Sequence, residues 1–289
     1  MGGHWPTSCS NDTLATGRTC ITGRPLDSNA GNTERRDDSM SFSVYLAISR
    51  LDVIRADLQN VDGDVDRMVK AADALDAEAT AGWLPILYEW LATKDDFYLR
   101  ESAARPIARL EGIASLRRLL AAHHLGSIEN HDNDCLTAIL IDLVEAHRTE
   151  ARAQLLDLAA SSNPTERSDA AWLLGFVHGD MNVEVLEALV TLTADPVADV
   201  RSRACGSLGS YKGVAAAFEA LVRCLQDPDQ EVVTAAANAL GYFGDKRALP
   251  LLESLRQSFT ERQRLLIDHA ILMLRGDGNF RVGVNTCDQ

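Results

Sequence analysis

Apolar residues recur along this chain with two superimposed periods. At short range they fall three or four positions apart, as in Val183–Leu192 (VEVLEALVTL), Val214–Leu225 (VAAAFEALVRCL) and Ala248–Leu255 (ALPLLESL). That is the spacing of an amphipathic helix. At longer range, a pair of small residues is followed three positions later by a large aliphatic one. The motif occurs as Ala103-Ala104 with Ile107, Thr137-Ala138 with Ile141, and Ala170-Ala171 with Leu174. It returns as Ala204-Cys205 with Leu208, Ala236-Ala237 with Leu240, and His269-Ala270 with Met273. Successive copies are offset by 34, 33, 34, 32 and 33 residues, and so constant an offset marks a repeat architecture.

Each copy predicts a helical hairpin, with the motif on its second helix. Short proline turns, Asn163-Pro164, Asp195-Pro196 and Asp227-Pro228, separate the two helices. Proline cannot continue the first helix, and acids such as Asp199 can cap the second. The small pair lets neighbouring helices approach closely, and the aliphatic residue fills the layer between repeats. Gly175, Gly209 and Gly241 follow that residue directly, while Gly112, Gly179, Gly213 and Gly278 stand where a left-handed cap would end the helix. One hairpin cannot bury its own apolar face, so stacking is forced. The predicted fold class is all-α, a right-handed α-solenoid of about six hairpins over 82–278. Capping helices are expected over 40–81 and a short tail over 279–289. Residues 1–39 are rich in Gly, Ser, Thr, Asn and Asp and lack periodic apolar content. They read as a disordered tail, or as an extension ahead of a natural start at Met40.

The stretches from Asp195 to Gly209 (DPVADVRSRACGSLG) and from Asp227 to Gly241 (DPDQEVVTAAANALG) resemble HEAT repeats, in particular the short kind also found in bilin lyases. The resemblance spans 82–278 and is strongest over 150–257. The family's arginine near the start of the second helix is matched by Arg100, Arg167 and Arg201, but Asp134, Val233 and Leu266 stand there in the other copies. Any ladder of hydrogen bonds between repeats is therefore expected to break at those three. The resemblance also implies that the second helices line an inner, concave surface. Iron hydroxylases built from such repeats carry His-Glu pairs as ligands, and no His-Glu dipeptide occurs here.

Composition narrows the function. Lys and Arg total 28 against 42 Asp and Glu, for a formal net charge of −14. Binding to a phosphate backbone draws on Lys and Arg, so the balance disfavours nucleic acid and favours a basic protein partner. No run approaches the roughly 20 apolar residues of a bilayer span, and the start lacks the order of a secretory signal. The chain reads as cytoplasmic. The six cysteines include no Cys-x-x-Cys pair, which argues against a zinc site or disulfide framework. No phosphate loop, Gly-x-Ser-x-Gly elbow or His-Glu-x-x-His motif is present, so no catalytic residue, metal or cofactor is expected. Asp62, Asp64 and Asp66 form a polar turn, since Arg67 replaces the glycine of a calcium loop.

Candidate contact residues come from two places. Positions one and five beyond each small pair share a helical face, giving Arg105 with Arg109, Ile139 with Leu143, Trp172 with Phe176, Gly206 with Ser210, Asn238 with Tyr242, and Ile271 with Arg275. Trp172, Phe176 and Tyr242 are the expected anchors, with Arg105 and Arg109 beside them and Glu166 and Asp169 as an acidic rim steering a basic ligand. The competing expectation is that Trp172 and Phe176 only pack between repeats; Ile139 and Leu143 read as core. The second source is a polar cluster, His123-His124, Glu129, His131, Asp132, Asn133, Asp134 and Cys135, placed on the loop of the second hairpin. It reads as a metal or acid–base site, as a capped helix start, or as a contact element with His131 and Asp132 on the array's edge. The expected function is non-catalytic protein binding, as scaffold or inhibitor. Its concrete version, by analogy with how HEAT-like modules are used in bacteria, is an immunity protein neutralising a basic toxin. A bilin-lyase-like enzyme or chaperone and a nucleic-acid binder are the alternatives.

Overall fold

The computed structural model describes residues 50–59, 63–94, 96–128, 134–177 and 182–276, and every regular element among them is helical. The tails at 1–39 and 279–289 lie outside the described residues, as do Gly179, Gly278, Glu129, His131, Asp132 and Asn133. The chain divides into two units, 1–51 and 52–289, and all helices named below belong to the second.

Residues 52–58 are helical, and α1 follows at Val65–Glu78, capped by Asp64, whose carboxylate accepts from the Arg67 amide. Six hairpins come next. They pair α2 (Leu84–Leu91) with α3 (Phe97–Glu111), α4 (Leu116–Ile128) with α5 (Asp134–Ala146), and α6 (Arg148–Ala159) with α7 (Pro164–Leu173). The last three pair α8 (Val183–Leu192) with α9 (Ala198–Leu208), α10 (Ala215–Cys224) with α11 (Gln230–Phe243), and α12 (Leu249–Leu255) with α13 (Glu261–Arg275). Polar caps set several starts: Asn163 accepts from the Thr165 amide ahead of Pro164, Asn182 from Val185, and Asp229 from Glu231. The all-α solenoid of about six hairpins is therefore present.

The small-residue motif lies where the second helices meet. Ala103, Ala104, Ala170, Ala171, Ala204, Cys205, Ala236, Ala237 and Ala270 are fully buried, together with Ile107, Leu174, Leu208 and Leu240. The glycine after the aliphatic residue is the tightest point. A Cβ on Gly175 would lie 2.7 Å from Ser207 Oγ, one on Gly209 3.2 Å from Ala239 Cα, and one on Gly241 2.8 Å from Ala270 Cα. Thus α7, α9, α11 and α13 pack in succession, each glycine admitting the next helix. Of the glycines expected at helix ends, Gly112 ends α3 with positive φ, and Gly213 has positive φ but lies beyond the end of α9. Gly244, which ends α11, and Gly276, which follows α13, also have positive φ.

The second copy of the motif is corrected by the structure. In α5, Ala138 is exposed and Ile141 half-buried, while Leu136, Ile139, Leu140, Leu143 and Val144 face the core. The packing face is thus shifted by two residues from Thr137-Ala138, and bulky side chains occupy it. Without a small pair there, α5 meets the turn Leu174–Phe176 rather than packing along α7. The expectation that Ile139 and Leu143 are core residues holds.

Arginine clamps tie the turns together. Arg167 donates to the carbonyls of Ser161 and Ser162 in its own turn and, through two nitrogens at 2.6 and 3.0 Å, to Asp195 of the next. Arg201 repeats the pattern with the carbonyls of Asp195 and Pro196 and with Asp227 at 2.8 and 2.7 Å. Arg100, fully buried, donates to the Thr93 carbonyl at 3.0 Å. Val233 is a buried apolar residue in the fifth hairpin, where the ladder stops. Glu101 adds a cross-repeat cap, since its carboxylate accepts from the Leu136 amide at the start of α5.

Gly241→Ala should destabilise the chain by about 1–3 kcal/mol through overpacking, read as a lower urea midpoint. Gly206→Ala has open space at its Cβ and should instead add about 0.5–1 kcal/mol from helix propensity.

Candidate functional site

The structure gathers polar chemistry where α4 runs past α7 and α9. His123 and His124 lie on α4, not on the loop where the sequence reading put them. The His123 ring stacks on Trp172 at 5.4 Å between centroids with an interplanar angle of 26°, and Phe176 meets Trp172 edge-on at 6.3 Å. On α9, the Arg203 guanidinium lies 5.7 Å from the centre of the Trp172 ring. Trp172 and Phe176 are half-buried, so the tryptophan is both packed between helices and part of an open surface.

Two depressions lie beside His123 and His124. One, of about 320 Å³, is lined by His123, His124, Ser168, Asp169, Asp199 and Arg203. Its neighbour, of about 200 Å³, includes Arg117, His124, Thr165, Glu166 and Asp169. A third and more apolar one, of about 370 Å³, lies on the other side of α4 against Tyr88 and Arg118, and His124 borders all three.

The carboxylates differ in how they are satisfied. Asp199 accepts from the Ser168 hydroxyl and pairs with Arg203 at 3.3 Å. It was expected to cap α9, but the cap position is Val197 and the Asp199 side chain turns to α7 and to Arg203 instead. Glu166 accepts from Ser161 and lies 3.5 Å from Arg117, which also pairs with Asp157 at 2.6 Å. Asp169 is 8% exposed, and none of the hydrogen bonds or ion pairs among the described residues reaches its carboxylate. Burial, with Asp199 and Glu166 nearby and only Arg203 opposing, pushes it up to about 6. Burial, with Arg203 and His124, lowers His123 and keeps its ring neutral near pH 7. Asp169 thus has no direct ion pair among the described residues, and only the more distant Arg203 offsets its charge.

The other expected contact residues are spread apart. Tyr242 is 51% exposed on α11, two second helices beyond Trp172. Arg109 is committed to structure: it donates to the carbonyls of Asp76 and Ala79 at the end of α1 and pairs with the Asp76 carboxylate. Arg105 is exposed and borders a small depression with Asp73, Asp76 and Cys135. Arg203, Asp199 and Ser168 were not singled out as contact residues. The signal for Arg203 was available, since it precedes Ala204-Cys205 just as Asp169 precedes Ala170-Ala171. Among the described residues, no three His, Cys, Asp or Glu side chains converge as metal ligands, and no helix is long and apolar enough to cross a membrane.

The family model for HEAT repeats matches residues 186–267, from within α8 into α13. No curated protein matches the chain. Similar solved structures include human deoxyhypusine hydroxylase in complex with glycerol, 16% identical over 82% of this chain and 99% of that one, with a TM-score of 0.38. A computationally designed armadillo repeat protein for modular peptide recognition is 18% identical over 76% and 98%, with a TM-score of 0.37. The complex of CpcE and CpcF of phycocyanin lyase from Nostoc is 16% identical over 89% and 100%, with a TM-score of 0.35. At these values the likeness bears on neither activity nor partner.

The pH dependence of Asp169 has a definite sign. A carboxyl raised in the folded state costs stability once pH exceeds its unfolded value near 4, and the cost is complete above about 6. Asp169→Asn should therefore raise stability by on the order of 2–3 kcal/mol near pH 8 and by little near pH 3. Urea unfolding at the two pH values measures the difference.

Proposed function

We propose that this array of HEAT repeats is a non-catalytic binding module that holds a basic protein segment against the face of its second helices. The observation that carries the reading is the Trp172 site, where a half-buried aromatic ring contacts His123, Phe176 and Arg203, and two of these neighbours, His123 and Arg203, line a groove with Asp169. Ring anchors with a rim of charges are what protein interfaces concentrate their affinity in. The net charge of −14 favours encounter with a basic partner. Tyr242, exposed on α11, extends the same face and supplies a second anchor.

Such a module works by occupancy, as a scaffold or as an inhibitor covering a basic surface, and neutralisation of a basic toxin is the most concrete form of that role. The chemistry at the groove suits recognition. Its acids and arginines set charge around an aromatic ring, as the contact surfaces of proteins do.

The test is affinity capture of the tagged chain from native lysate, followed by measurement of the affinity for what is retained. The expected result is a basic protein whose binding falls about 100-fold or more for Trp172→Ala combined with Tyr242→Ala, since each hot-spot ring carries about 2 kcal/mol. Retention of a small molecule alone, or turnover of one, would replace binding with catalysis as the function.

A further inference from the structure

We infer that Asp169 is the receptor for a single arginine side chain presented by the partner protein. The inference rests on the protein-binding reading and adds the chemistry of the contact. Charge matching around the groove points to a monocation. The two arginines bordering the depressions already have acid partners, Arg203 in Asp199 and Arg117 in Glu166, although Arg203 also lies near enough to Asp169 to favour its charged form. Asp169 remains, 8% exposed and bordering both depressions, with no hydrogen-bond donor on its oxygens among the described residues. Its oxygens keep contact with solvent through the depressions, yet the burial of the residue disfavours its charged form, and a ligand that supplies both donors and positive charge offsets that cost.

Two features select arginine over lysine. The guanidinium is more weakly hydrated than an ammonium, so it enters a mostly closed site at lower desolvation cost, and its fork can satisfy both oxygens of one carboxylate. The groove also offers flat apolar surface for the plane and stem of such a side chain, from the His123 ring, Pro164 and Val197. The 320 Å³ depression is of a size to take one long side chain rather than a folded segment. The surrounding titratable and charged groups are His123, His124 and Arg117 on α4, Asp157 on α6, Glu166 on α7, and Asp199 and Arg203 on α9.

The probe is a fluorescein-labelled hexa-arginine peptide, titrated against the full chain at near-physiological salt, with hexa-lysine and hexa-citrulline peptides of the same length. Binding of hexa-arginine should weaken at least tenfold in Asp169→Asn and stay within twofold in Glu231→Gln, an exposed acid on α11. Hexa-lysine should bind at least tenfold more weakly than hexa-arginine, and hexa-citrulline not at all. Wild-type affinity should fall about tenfold from pH 7.5 to pH 5, following the ionisation of Asp169. The same pH change should have much less effect in Asp169→Asn, which separates Asp169 from any other group that titrates in that range. Circular dichroism shows whether the variant is folded. Equal affinity of wild type and Asp169→Asn, or equal affinity for arginine and lysine peptides, would overturn the inference. If a captured protein is still held by the wild-type chain and equally by Asp169→Asn, the arginine site fails and protein binding stands. If no protein is captured at all, the reading beneath it fails.

Discussion

Close approach of the second helices is the constraint on which the array depends. At Gly175, Gly209 and Gly241 the backbone of the next repeat occupies the space a side chain would need. Every other regularity follows from that spacing. The small pairs can be buried without voids because the helices are already near, and the aliphatic residue beyond each pair then fills the remaining layer. The arginine clamps of Arg167 and Arg201 reach the aspartates of the next turn because close stacking brings successive turns within one side-chain length. These pairs are largely shielded from water, and each guanidinium also closes two carbonyls of its own turn, so their hydrogen bonds fix the turn as well as the neighbour.

The candidate site uses the same scaffold for the opposite purpose. Between other helices of the central repeats a polar group can close the packing, as Ser207 does in donating to the Ala171 carbonyl at 2.6 Å. At Asp169 the position before the small pair, half-buried at Ser102, Arg203, Ala235 and Asp268, is buried and carries an acid with no donor among the described residues. A chain that keeps such a charge in its wall gives up stability it could regain with one amide. Strain of this kind is tolerated where a ligand relieves it.

Much of the fold could be read from residues alone, because each stacking contact is local to one position of a repeated unit. Ala170-Ala171, Ala204-Cys205 and Ala236-Ala237 announced their own packing. Thr137-Ala138 misled for the same reason: a small pair at the right offset imitated the motif, while the longer apolar series from Leu136 to Val144 decided which face of α5 is buried. The site was only half legible. Trp172 and Phe176 came from the helical face rule and Asp169 from the expected acidic rim, but His123 reaches Trp172 across 49 positions of sequence, through the path of α4. No single repeat encodes that contact. Arg109 failed in the converse way, as a side chain on the expected face whose donors are taken by the end of α1. Asp199, placed as a cap, shows that an acid in the first turn need not serve its own helix when a serine on the neighbour is nearer.

The break between α5 and α7 reaches beyond local packing. In a linear array, cooperativity is carried by nearest-neighbour interfaces, and a thin interface divides the molecule into blocks that can open separately. The seam falls between the second and third hairpins, and the contacts that cross it there include His123 on Trp172 and Arg117 on Asp157 and Glu166. The groove is therefore built over the weakest joint of the stack. An occupant held from both sides would act as a stitch, turning two melting blocks into one, so that the molecule would register its partner as mechanical continuity.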